Sequence, residues 1–154
     1  YKKQKCVLKL NGCFYIIPSG KTNIQAVKNM AEFDRNDQIE KMKKSEDYSS
    51  FSDLLREYIL NRLGLPGDTH EDNLYYLVLY SVRIKMPEED VKTLESRLAT
   101  VDCHQTSFIV SKKTLLMMEI ESGLSVHISP EEAEYSDTVT KYSEVLWRAI
   151  NNAG

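Results

Sequence analysis

Cysteines, histidines and paired carboxylates are the residue types that build metal centres and nucleophilic sites, and the chain has three cysteines and three histidines in 154 residues. Their spacing supports neither kind of site. Cys6, Cys13 and Cys103 form no CxxC pair and are odd in number, so they define neither a four-ligand zinc site nor a disulfide framework and read as reduced thiols. Cys6 and Cys13 meet across a hairpin only if strand alternation puts both on one face. His70, His104 and His127 are scattered, with no HExxH string and no i, i+4 pair, so they point to no metal ligand or general base. Cys103 and His104 are adjacent, which turns their side chains apart. Glu88-Glu89 and Glu131-Glu132 fall at expected helix starts, where capping and the helix dipole already account for them. No catalytic residue, metal ion or cofactor is expected from these groups.

Two further strings bear on chemistry. Phe14-Tyr15-Ile16-Ile17-Pro18-Ser19-Gly20-Lys21-Thr22 resembles the tail of a P-loop, a strand followed by Gly-Lys-Thr and then a helix. A phosphate-wrapping loop needs a glycine five residues before that Gly, and Tyr15 stands there. The chain also offers no alternation of strands and helices for a parallel sheet and no strand ending in a magnesium-binding Asp. The segment is therefore expected to be a turn leading into a helix.

In the C-terminal third, Leu124-Ser125-Val126-His127-Ile128-Ser129-Pro130-Glu131-Glu132-Ala133-Glu134 is similar to the short loop and acidic third helix of acyl carrier proteins, and Val145 to Asn151 fits that family's ending. That family carries phosphopantetheine on a serine in an Asp-Ser-Leu triplet before the second helix. The nearest counterpart here is Thr106-Ser107-Phe108, three residues too far upstream and without the Asp. The resemblance implies Ser107 as the modified residue of a carrier-like protein.

Charge is distributed unevenly. Residues 1 to 30 contain six lysines and no acid, whereas residues 31 to 60 sum to −3 and residues 61 to 154 to −6. A basic segment on an acidic body can attract phosphates or an acidic protein surface, or dock on its own body. Most of the nine tyrosines fall in apolar or amphipathic stretches and are expected in the core. The N-terminal segment, with Tyr1, Lys2, Lys3, Lys5, Lys9 and Tyr15, combines charge with aromatic rings that could stack on bases. No later helix is basic enough for a recognition helix.

The elements that must position these residues are legible from periodicity. Cys6 to Leu10 and Cys13 to Ile17 are β-prone runs joined by Asn11-Gly12, a strong hairpin signal. Ile24, Val27, Met30 and Phe33 open a helix from Asn23 that runs to Lys44, its charged second half having only Ile39 and Met42 to bury. Ser45 to Ser52 reads as a polar linker. Phe51, Leu54, Leu55, Tyr58, Ile59 and Leu63 trace an amphipathic helix closed by Gly64 and Pro66. Leu74 to Val82 suits a buried helix or strand, and a core helix is favoured because no partner strands lie nearby. Pro87 opens a further helix with Val91, Leu94 and Leu98 inward, followed by a polar loop at Cys103 to Thr106. Ser111 is expected to begin a helix that buries Leu115, Leu116, Met118 and Ile120 and ends at Gly123 as a left-handed cap. Ser129-Pro130-Glu131-Glu132 is a capping box with proline at the first helical position. The last helix carries Val139, Tyr142, Leu146, Trp147 and Ile150.

The expected fold is mainly α, a bundle-like body of five to six helices with an N-terminal β-hairpin, divided into residues 1–48 and 49–154. No apolar run approaches the length of a membrane span, and no secretory signal is visible, so a cytoplasmic location is expected. The expected function is a non-enzymatic protein-interaction module of adaptor, chaperone or inhibitor type. It would engage a protein partner or a second copy through Lys2, Lys3, Lys5, Lys9, Tyr15 and Lys21. The alternatives are a nucleic-acid-binding protein using the same lysines and a carrier modified on Ser107.

Overall fold

The computed structural model describes residues 34–85 and 107–152, Thr93 and Ser96, and the backbone of Cys6–Leu10 and Cys13–Ile17. The chain divides into two units, residues 1–33 and 34–154. In the first, strands β1 (Cys6–Leu10) and β2 (Cys13–Ile17) run antiparallel with Cys6 opposite Ile17 and Leu10 opposite Cys13, so the two cysteines are not partners. The Asn11-Gly12 turn, the Gly20-Lys21-Thr22 string and the expected helix from Asn23 to Phe33 lie outside the described residues.

The second unit is mainly α, with six helices among the described residues: α1 (Arg35–Lys43), α2 (Tyr48–Leu63), α3 (Leu74–Lys85), α4 (Phe108–Leu124), α5 (Pro130–Tyr135) and α6 (Val139–Asn152). The continuous helix expected up to Lys44 is interrupted at Asp34. Its backbone is extended, and its carboxylate accepts from the amides of Asn36 at 2.9 Å and Asp37 at 3.3 Å, which caps a new helix. Helix α1 does not project from the body, because Ile39 and Met42 are both buried and it packs on α2 and α4. The expected polar linker is shorter than its composition suggests. Asp47 accepts from the Ser50 amide at 2.9 Å, and α2 begins at Tyr48.

Helix α2 is the centre of the unit and packs on α1, α3 and α6. It buries Phe51, Leu55, Tyr58, Ile59, Leu60 and Leu63, and ends where Gly64 takes a left-handed φ of 71°. Residues 74–85 are helical, as an all-round apolar stretch without strand partners requires, although Tyr76 on this helix is exposed rather than in the core. The expected helix from Pro87 to Leu98 lies outside the described residues apart from Thr93 and Ser96, whose backbone is helical. The Cys103 to Thr106 loop lies outside them too.

Helices α5 and α6 complete the fold. The Ser129 hydroxyl accepts from the Glu132 amide and the Glu132 carboxylate accepts from the Ser129 amide, both at 3.2 Å, the reciprocal capping read from the sequence. Helix α6 lies on α2, where Trp147 stacks against Phe51 with ring centroids 5.4 Å apart. Ser143, fully buried between them, meets the Tyr48 hydroxyl at 2.9 Å and the Ser52 hydroxyl at 3.2 Å, so its polarity is satisfied inside the core. The starts of α3 and α6 are joined by a bridge between Asn73 and Thr138, in which the Leu74 amide donates to Asp137 at 2.9 Å and the Val139 amide to Asp72 at 2.8 Å. Among the described residues no helix is long and apolar enough to cross a membrane.

Candidate interaction surface

Helix α4 differs most from the sequence expectation. It starts at Phe108, three residues before Ser111, because the Ser107 hydroxyl accepts from the Val110 amide at 3.3 Å. It continues through Gly123 to Leu124, and Ser125 takes the left-handed cap with φ of 58°. Its buried arc is Ile109, Leu116, Met117, Ile120 and Leu124. Leu115 and Met118, expected inside, are instead 65% and 58% exposed, and Phe108 is 53% exposed. The run Leu115-Leu116-Met117-Met118 explains the misassignment. Four consecutive residues sweep most of a helical turn, so they cannot all face one core.

Three contacts on neighbouring elements fix this orientation. On the α2 side, the Glu119 carboxylate accepts the Tyr58 hydroxyl at 2.7 Å and a fork from Arg62, Nε at 2.9 Å to Oε1 and Nη2 at 3.1 Å to Oε2. Arg35 of α1 adds an ion pair at 3.7 Å. Burial alone would push the Glu119 carboxyl up, but donation from Arg62 and Tyr58 outweighs it and holds the group below its ordinary value. Burial and donation to the same carboxylate push the Tyr58 hydroxyl well up. On the α1 side, Gly123 admits Ile39: a Cβ at residue 123 would lie 2.9 Å from Ile39 Cδ1. On the α3 side, the Lys112 ammonium donates to the buried Ser81 hydroxyl at 3.1 Å. Burial, with Lys85 and Arg62 as neighbouring like charges, pushes the Lys112 ammonium below its ordinary value.

With α4 held in this way, Phe108, Ser111, Leu115, Met118 and Ser122 recur at i, i+3, i+7, i+10 and i+14. They form an uncharged stripe on the outward side of the helix, with Lys112 and Glu119 along one edge. Such a stripe suits the docking of another helix. A second feature is an open groove of about 370 Å³ between the Ser125 to His127 turn, α5 and the end of α6, lined in part by Val126, His127, Glu132 and Arg148. His127 is exposed, with Nδ1 3.7 Å from Glu121.

Lys2, Lys3, Lys5 and Lys21 lie outside the described residues. Lys9 falls on β1 opposite Phe14, and Tyr15 on β2 opposite Leu8. Ser107 is the N-cap of α4. Cys103 and His104 lie outside the described residues, and among those described no group of three or more His, Cys, Asp or Glu is placed to hold a metal ion. Comparison with protein-family models, curated proteins and solved structures finds no match.

Proposed function

We propose that the protein is a non-enzymatic protein-interaction module of adaptor, chaperone or inhibitor type. The observation that supports this reading is the outward stripe of α4, where Phe108, Leu115 and Met118 are each more than half exposed on a helix that three neighbouring elements hold in place. Large apolar side chains fixed toward solvent along one helix face serve recognition better than stability. The basic N-terminal hairpin, with Lys2, Lys3, Lys5, Lys9, Tyr15 and Lys21, adds an electropositive element that accelerates encounter with an acidic protein surface. The cytoplasm is the proposed location.

The test is affinity capture from the source extract, nuclease-treated, with the wild-type chain and the doubly substituted Leu115→Ser, Met118→Ser chain side by side. A stoichiometric protein, or the chain itself, recovered with the first and lost with the second supports the reading. Equal recovery by both chains, or none by either, refutes it. A second reading draws on the six lysines and absence of acids in residues 1 to 30, which also suit a nucleic-acid backbone. It predicts capture that disappears with nuclease and falls steeply with salt.

A further inference from the structure

We propose that the groove between the Ser125 to His127 turn, α5 and the end of α6 binds a carboxylate joined to a short aliphatic group, carried by a free acid or by the last residue of a peptide. The groove shares no residue with the α4 stripe, and the proposal goes beyond the interaction-module reading. One side is a single face of α6, with Val145, Arg148, Ala149 and Asn152 at i, i+3, i+4 and i+7. Its volume of about 370 Å³ falls in the range of small-molecule sites, and like them it sets apolar side chains beside a few polar groups.

The polar groups of this groove lack the internal partners that such groups find elsewhere in the unit. Arg35, Arg56 and Arg62 each meet a carboxylate. Arg148 meets none and makes no hydrogen bond among the described residues, although Glu144 stands one turn before it and Glu132 lines the same groove. The Glu132 carboxylate is committed to its cap, where Oε2 accepts from both the amide and the hydroxyl of Ser129. His127 has Nδ1 3.7 Å from Glu121. The Ser125 hydroxyl and the Asn152 amide also have no hydrogen-bond partner among the described residues. A guanidinium, a hydroxyl and an amide with unused donors therefore line one concavity. The paired N–H groups of a guanidinium match the two oxygens of a carboxylate. Glu132 limits the ligand's charge, since a dianionic phosphate would face its carboxylate, whereas one carboxylate is balanced by Arg148 alone. Val126, Val145 and Ala149 offer only aliphatic side chains, which calls for an aliphatic group next to the carboxylate.

The experiment is a titration of the full ¹⁵N-labelled chain, followed by amide chemical shifts, with isovalerate and with its neutral counterpart isovaleramide. Isovalerate should shift the amides of residues 125–127 and 145–152 saturably, with a dissociation constant of about 1–10 mM for so small a ligand. Isovaleramide should not. Arg148 is exposed, so Arg148→Gln should keep the wild-type circular dichroism and raise the dissociation constant at least about tenfold. The two sources are separated by an acetylated Gly-Gly-Val tripeptide with a free C-terminus. Binding at least about tenfold tighter than isovalerate identifies a peptide C-terminus, and equal or weaker binding identifies a free acid. No saturable shift with either probe, equal shifts with isovaleramide, or indifference to Arg148→Gln overturns the proposal. None of these readouts involves Leu115 or Met118, so the interaction-module reading stands or falls separately.

Discussion

Replacing Gly123 by alanine tests the idea that the closeness of α1 and α4 depends on a missing side chain. In an open helix interior, glycine to alanine gains about 1 kcal/mol. Here the new methyl would lie 2.9 Å from Ile39 Cδ1, 3.1 Å from Cγ1 and 3.3 Å from Cγ2. Three atoms of one β-branched, buried side chain cannot all withdraw by a single rotation, so crowding should cost about 1–3 kcal/mol. The net expectation for Gly123→Ala is a loss of about 1 kcal/mol. Ile39→Ala alone should cost about 2–4 kcal/mol through the cavity it leaves. In that background the methyl has room, so adding Gly123→Ala should recover about 1 kcal/mol, a coupling of about 2 kcal/mol. Urea denaturation of the four proteins closes the cycle. Stabilisation by Gly123→Ala in the wild-type background, or additivity within about 0.5 kcal/mol, would refute the close approach.

The Glu119 tie predicts a pH dependence. Its carboxyl is held below the ordinary value in the folded chain, so the stability it contributes is fully present above about pH 4.5 and is lost as pH falls through the folded value. Glu119→Gln should cost about 1–2 kcal/mol at neutral pH, and the difference from wild type should shrink on acidification; a difference constant down to pH 3 would count against the tie. Ser129→Ala should cost about 1 kcal/mol, with faster amide exchange confined to α5, since that helix buries no residue. Exchange that also accelerates throughout α6 would show the cap to have a wider role. Ser107→Ala should cost about 1 kcal/mol through the lost cap, and the native chain should show the bare polypeptide mass. An adduct of phosphopantetheine mass on Ser107 would favour the carrier reading instead.

What could be read from the sequence divides along physical lines. Helix α2 carries its own stripe and its stop signal, and α5 its own capping box, so both follow from residues within a few positions. The core helix at 74–85 needed one further argument, the lack of partner strands. Helix α4 misled because its apolar run covers most of a turn, leaving the buried arc to be chosen by Ile39, Tyr58 and Ser81 on three other elements. Gly123 had the signature of a helix end, and only the approach of Ile39 shows it to be an interior contact. The Tyr58, Arg62 and Glu119 cluster joins positions 57 and 61 residues apart and has no local signature. Asp34 followed by charged residues was a cap signal available beforehand, obscured by the apolar spacing that continued across it.

The bridge between Asn73 and Thr138 bears on the order in which the body assembles. It joins positions about 65 residues apart, and a loop of that length closes at an entropic cost that its two hydrogen bonds alone do not offset. Closure therefore waits for α6 to lay Tyr142, Leu146 and Trp147 against the rest of the unit. During synthesis α1 and α2 can pair as soon as both have emerged, because their contacts are local. Until residues 137 and 139 follow, the amide of Leu74 and the carbonyl of Asp72 lack their partners, and until Trp147 follows, Phe51 lacks that aromatic neighbour. Helix α6 is thus the element that closes this unit, and a nascent chain released before it would expose the apolar side of α2.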